Sequence, residues 1–250
     1  ANISWKAANF WDNFAPFVTA LTNARVRRIT GDLVADNTFF SGPPTGGSWC
    51  VDDLQDYYGA EISALTLEDN TAQIRVVPGP NVSDPCSLSL LQPDTGIILV
   101  NQTKTIPAAA KSRLETARPI GSKTVYVFAE VPINAKPATL DVPVPEPAAW
   151  FGAALKEALE RNGIHVKGKV RCIAWPEIPP WHETNLVMLG EIKSPPLREI
   201  VHAFMKPSQN LETDLVFDHI GELSRPANDP GWTTSEQLAV TALEKFVVSH

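Results

Sequence analysis

No run of about 18 apolar residues occurs in the 250 positions, so no transmembrane helix is expected. Positive charge is scarce. Lys and Arg number 21 against 28 Asp and Glu, and the net charge of −7 argues against a nucleic-acid or anionic-membrane surface. Cysteine is scarce too. Cys50, Cys86 and Cys172 are odd in number, which leaves at least one unpaired in a monomer, and no C-x-x-C spacing suggests zinc or a redox dithiol. A disulfide would need an oxidising compartment, and the sequence does not say which two would form it. His165, His182, His202, His219 and His250 are scattered with no H-E-x-x-H, so they read as structural and no metal is expected. The glycines near Gly42 to Gly47 lack the Lys-Ser/Thr of a phosphate loop, so no nucleotide or other cofactor is expected. The N-terminus lacks the basic, apolar and small-residue regions of a signal peptide, which could have been removed or lie upstream.

What is present fits a globular chain with real cores, either one large domain or two modest ones. Hydrophobic residues make up 44% and charged residues 20%, and 22 prolines mark many turns. Aromatics at helical spacing predict a helix from about Ile3 to Asn23. Val26 to Val34 reads as a strand ending near Asp36, followed by a loop at Ser41 to Gly47. Tyr57 to Leu67 and Ala72 to Val77 read as a hairpin around Glu68 to Thr71. Leu88 to Leu91, Ile97 to Asn101, Thr124 to Val131 and Leu140 to Val144 are short β-type segments, suggesting a small β-rich subdomain over about 101–145. Ala148 to Asn162 is the best-defined helix, ended by Gly163. A strand is expected near Ile164 to Ala174 and another at Asn185 to Ile192. Thr233-Thr-Ser-Glu236 reads as a capping box opening a last helix whose stripe is Leu238, Ala242, Leu243 and Phe246.

The most informative stretch is Met205-Lys206-Pro207-Ser208-Gln209-Asn210-Leu211. Ser208 reads as an N-cap, Leu211, Leu215, Val216 and Ile220 follow at helical spacing, and Gly221 sits where a left-handed C-cap is expected. In a helix opened by Ser208, residues 208–210 share the first turn and could border one cleft, where the helix N-terminus favours an anion or a developing oxyanion. Asp214 and Asp218 lie four apart on this helix. As like charges at that spacing they read as a solvated face rather than a catalytic pair.

Ser194-Pro-Pro-Leu-Arg-Glu-Ile-Val-His-Ala-Phe-Met-Lys-Pro-Ser-Gln-Asn-Leu, continuing to Gly221, resembles the S-x-N region of the low-molecular-mass class C penicillin-binding proteins. These are serine-type D-alanyl-D-alanine carboxypeptidases and endopeptidases. Two upstream stretches agree in order and spacing: Arg28 to Asp36 with Phe39 and Phe40 behind it, and Ala153 to Ile164 with Gly168 after it. The resemblance covers nearly the whole chain. It implies an α+β, multidomain fold: part of a transpeptidase-like α/β domain with inserted β-rich accessory domains. Residues 1–100 and 146–185 would form a mixed accessory domain. Residues 101–145 would form the inserted β-rich subdomain, and 186–250 the start of the returning transpeptidase-like domain.

Such enzymes need a Ser-x-x-Lys pair for nucleophile and base, an S-x-N element, and a Lys-Thr-Gly strand that binds the terminal carboxylate. Only S-x-N is found here. No Ser has Lys three residues on, and Lys104-Thr105-Ile106 and Lys123-Thr124-Val125 both lack the Gly. The chain reads as the middle of such an enzyme. By resemblance Ser208 is the proton-relay serine and Asn210 the residue that holds the substrate amide, so both are catalytic candidates and Asn210 the substrate-binding one. No nucleophile can be named. The resemblance also implies peptidoglycan stem peptides ending in D-Ala-D-Ala and β-lactams as partners, and a periplasmic or other extracytoplasmic location. The sequence gives no oligomeric state. A non-catalytic cell-wall peptide-binding module on the same scaffold is the alternative reading, and an esterase a third.

Overall fold

The computed structural model describes residues 9–180 and 186–249. Contacts divide the chain into two compact units. One comprises Ala1–Ser48, Ile62–Asp69 and Pro147–His250, the other Trp49–Glu61 and Asn70–Glu146.

In the first unit, the expected N-terminal helix is a 3-10 turn at Phe10–Phe14 running into α1 at Ala15–Asn23, and its residues before Asn9 lie outside the described ones. Asn9 caps the turn by accepting from the Trp11 N–H. The aromatics that predicted the helix meet α2 (Pro147–Arg161): Phe10 stacks on Trp150 at 6.0 Å, and Phe14 meets Phe151 edge-on at 5.4 Å. Phe14 and Trp150 are almost fully buried.

The single strand expected from Val26 to Val34 is two, β1 (Arg28–Ile29) and β2 (Leu33–Asn37). Ile164 to Ala174 divides in the same way into β9 (His165–Val166) and β10 (Val170–Ala174). The pairing explains the shared break. β1 runs parallel to β9 and β2 parallel to β10, and between the pairs Asp32 Oδ1 accepts from the Lys169 N–H at 2.9 Å. Parallel strands need a crossover, and α2 supplies one with its Gly152 against the sheet. A Cβ at Gly152 would lie 2.7 Å from Val170 Cγ1. Leu159, Ile164 and Val166 form the buried cluster beneath, packed by Val18, Leu21, Ile29 and Leu33.

The strand expected at Asn185 to Ile192 is absent. Asn185 lies outside the described residues, and Leu186 to Ile192 is irregular. Its apolar residues join no sheet and stay largely exposed beside α1. Val187, Leu189 and Ile192 line a hollow of about 490 Å³ with Phe17, Leu21 and Leu155, and Gly190 abuts Ala20. Three helices follow: α3 (Leu197–Met205), α4 (Asn210–Leu223) and α5 (Ser235–Ser249).

The second unit is β-rich. β3 (Thr71–Val77) is the central strand of one sheet, antiparallel to β4 (Ser87–Leu90) and β8 (Ala138–Pro143). The other sheet has order β5 (Ile98–Ile106), β7 (Thr124–Pro132), β6 (Arg113–Ala117), with β5 and β7 parallel. The sequence pattern missed β6, a five-residue strand with little apolar content. The expected hairpin at 57–77 does not form. Glu68, Asp69 and Asn70 all take left-handed φ, Tyr57–Gly59 is a 3-10 turn, and β3 finds its partners elsewhere. Asn70 is fully buried, and its side chain donates to the Glu61 carbonyl at 2.8 Å.

The cysteines are all free thiols, Cys86 buried and Cys50 and Cys172 exposed. No helix of the described residues is long and apolar enough to cross a membrane.

Candidate functional site at the junction of two helices

The S-x-N residues lie where α3 gives way to α4. Pro207 has no N–H to extend α3, and Ser208 turns into the left-handed region with φ 59°. The Gln209 N–H then reaches back to the Phe204 carbonyl at 3.0 Å, the six-to-one closure of a Schellman turn. Ser208 therefore ends the preceding helix and does not cap the next one. An N-cap needs an extended backbone, and Gln209 takes that place with φ −83° and ψ 116°. Ser208 is exposed and makes no side-chain hydrogen bond among the described residues. Asn210, half-buried, is the first residue of α4. The two candidates thus flank one tight junction instead of sharing a helical turn. Neither side chain is packed into the interior. Lys206 beside them is exposed.

Gly221 is not a C-cap. α4 runs through it to Leu223, and the glycine serves packing: a Cβ there would stand 2.0 Å from the Ser235 carbonyl oxygen. This lets α4 and α5 approach closely. A polar network fixes their approach. The Ser235 hydroxyl donates to Glu222 at 2.5 Å and accepts from the Ser41 N–H at 2.8 Å, while the Ser235 N–H donates to the Ser41 carbonyl at 2.7 Å. Arg225 forks onto Glu222 at 2.7 and 2.8 Å and reaches Asp229 at 2.6 Å. Burial pushes Glu222 up, but the bonds from Arg225 and Ser235 outweigh it and hold the carboxyl below its usual range. The sequence reading missed this network, and a Ser opening a helix carries no signal that it serves anything but the cap.

The capping box at α5 sits one residue later than expected. Thr234 and Gln237 exchange the reciprocal bonds, at 3.1 and 3.2 Å. Glu236 instead accepts from the Gly47 N–H at 3.0 Å, tying the loop at Ser41 to Gly47 to α5. Leu238 is buried, whereas Leu243 and Phe246 are more than half exposed.

Asp218 corrects the solvated-face reading. It is buried, with 8% exposure, because α4 turns this side towards the loop. With Asp214, Thr234 and Glu236 it lines a small cavity of about 30 Å³. Burial first, then the charges of Glu236, Asp214 and Glu222, push its carboxyl up to about 6. His219 stacks on Phe39 at 5.2 Å, a structural role. No cluster of three or more metal-ligating side chains occurs among the described residues.

The D-alanyl-D-alanine carboxypeptidase of Actinomadura sp. (strain R39) is 32% identical over 203 residues, which cover 79% of this chain and 37% of that protein. Among solved structures, penicillin binding protein 4 from Haemophilus influenzae superposes with a TM-score of 0.74 at 20% identity, over 95% of this chain and 49% of that one. The same protein complexed with a novel β-lactam (CMV) gives 0.65 at 18% identity, over 95% and 47%. The chain therefore spans 37% of the curated relative and about half of the solved ones, and it shares their mixed α/β fold. The model of the D-Ala-D-Ala carboxypeptidase 3 (S13) family matches residues 11–249, across all three stretches that carry the resemblance and across Ser208 and Asn210, so the chain belongs to that family of low-molecular-mass class C penicillin-binding proteins.

Proposed function

We propose that this chain is the S-x-N-bearing portion of a serine D-alanyl-D-alanine carboxypeptidase of peptidoglycan metabolism. The observation that carries the reading is the exposed Ser208 hydroxyl at a tight helix junction, two residues from Asn210, inside a continuous family match. In the whole protein, Ser208 relays a proton to the amine of the departing D-alanine. A hydroxyl suits this step, because it can donate one proton while accepting another. The Asn210 carboxamide offers both donors and an acceptor to the peptide amide of the substrate, holding it for attack. The attacking serine and its lysine, and the Lys-Thr-Gly strand, come from outside these 250 residues, so this chain alone is inactive. Residues 186–250 belong to the returning transpeptidase-like domain. A β-rich domain is inserted before it, but its bounds are Trp49–Glu61 with Asn70–Glu146 and not the expected 101–145, because β3 and β4 pair in one sheet with β8. The same machinery acting on a cross-linked stem peptide would make the protein an endopeptidase as well. β-Lactams acylate it as substrate mimics, and its place is the periplasm or another extracytoplasmic compartment.

The test is release of D-alanine from a stem pentapeptide by the whole protein. The expected result is release that stoichiometric penicillin abolishes. Release that persists in penicillin, or cleavage of simple esters with no release, would overturn the reading.

A further inference from the structure

On the sheet of β5, β7 and β6, β7 alternates strictly. Val125, Val127, Ala129 and Val131 are buried, while Tyr126, Phe128 and Glu130 face out. The register sets their neighbours. Phe128 lies between Gln102 on β5 and Glu115 on β6, and Glu130 lies between Lys104 and Arg113. The Tyr126 and Phe128 rings are near-parallel, 16° apart in plane with centroids 6.5 Å apart, and are 37% and 44% exposed. Two aromatic rings standing on the central strand of a sheet are costly to leave in water. Tyr126 lies between Val100 and Ala117, which extend the apolar surface, and polar side chains border the sheet face from Phe128 onward. Hollows of about 530 and 440 Å³ flank Phe128. One reaches towards Arg118 and Gln55, the other towards Lys104 and Arg113. Together they follow β7 from Tyr126 to Glu130, a track of roughly 13 Å at the rise of a strand.

We propose that this face binds a chain of pyranose sugars, lying along β7 with its C–H faces on Tyr126 and Phe128 and its hydroxyl groups on the flanking Gln102, Glu115 and Arg113. The chemistry of the surface selects this class of ligand. A sugar ring has one apolar face and a polar rim, and so does the arrangement here. The charged side chains nearly cancel, with Lys104, Arg113 and Arg118 against Glu115 and Glu130, which suits an uncharged, hydroxyl-rich ligand better than an anionic polymer. An extended peptide would instead add to a strand edge, where the free backbone groups are. The choice of N-acetylated aminosugars as the probe rests on the peptidoglycan reading above, but the aromatic face does not.

The experiment is titration of the 250-residue chain with chitohexaose, followed by calorimetry and by amide NMR shifts. A sugar-free stem peptide is run in parallel. The expected result is saturable chitohexaose binding with shifts centred on residues 102, 115 and 126–130. Tyr126→Ala with Phe128→Ala weakens it by about tenfold or more at an unchanged melting temperature. Should that double variant unfold, Gln102→Ala replaces it, with a loss of several-fold expected. No binding, binding that neither variant weakens, shifts elsewhere, or the stem peptide shifting this face in place of the sugar would each overturn the proposal. D-Alanine release is not part of the readout, so failure here and failure of the carboxypeptidase reading are told apart.

Discussion

Ser208 holds a left-handed backbone that glycine would hold without strain, so its side chain and its conformation can be separated by mutation. At φ 59° an L-residue carries about 1–2 kcal/mol of steric cost. Glycine removes this but adds freedom to the unfolded chain, which takes back roughly 0.4–1 kcal/mol. The hydroxyl makes no hydrogen bond among the described residues, so nothing else is lost. Ser208→Gly should therefore stabilise the helical unit by roughly 0.5–1 kcal/mol, an upward shift of about 1–4 °C in a domain of this size. Ser208→Ala keeps the strain and should stay within about 0.5 kcal/mol of the parent. In the whole protein both variants should lose D-alanine release by about 10²–10⁴-fold, the usual contribution of a positioned proton donor. Thermal melts of the 250-residue chain give the first readout and turnover by the whole protein the second. A destabilised glycine variant would refute the turn geometry. A stable glycine variant with full turnover would refute the relay.

Two further outcomes follow from α4. Gly221→Ala places a methyl against the Ser235 carbonyl, so it should cost about 3 kcal/mol or more and expose the α4–α5 pair to proteolysis. Asp218 has a folded pKa of about 6, above its ordinary value of 3.8, so the folded state holds this proton more tightly between those values. Its penalty is full above pH 6 and fades as pH falls towards 4. Asp218→Asn should therefore stabilise the chain by about 1–2 kcal/mol at pH 7.5, after allowance for solvent screening, and by almost nothing at pH 4. Urea melts at the two pH values check the sign.

Periodic segments with strong end signals were legible in the sequence. α2 is framed by Pro147 and Gly163, and β7 is a run rich in β-branched and aromatic residues, the composition of a strand. Where tertiary contacts overrode local pattern, the sequence misled. Leu186 to Ile192 is an apolar run of strand length yet is irregular and borders a hollow beside α1, and Gly221 looks like a helix end yet sits inside one. At the candidate site, the sequence names Ser208 and Asn210 by resemblance, but the geometry of their junction was not readable in it. Ser before an apolar helix signals a cap, and only the Pro207 termination of α3 turns it into a left-handed closure. The Glu222–Arg225–Ser235 network joins residues whose spacing looks like ordinary surface charge, so its burial had no local signature.

The central claim is that this chain brings a helper hydroxyl and a carboxamide to a serine acyl transfer, and not the attacking group. The most direct measurement is labelling with a fluorescent penicillin followed by mass mapping of the acylated residue. The account predicts one label per whole protein, on a serine outside these 250 residues, and none on the 250-residue chain alone. A label on Ser208 would contradict it.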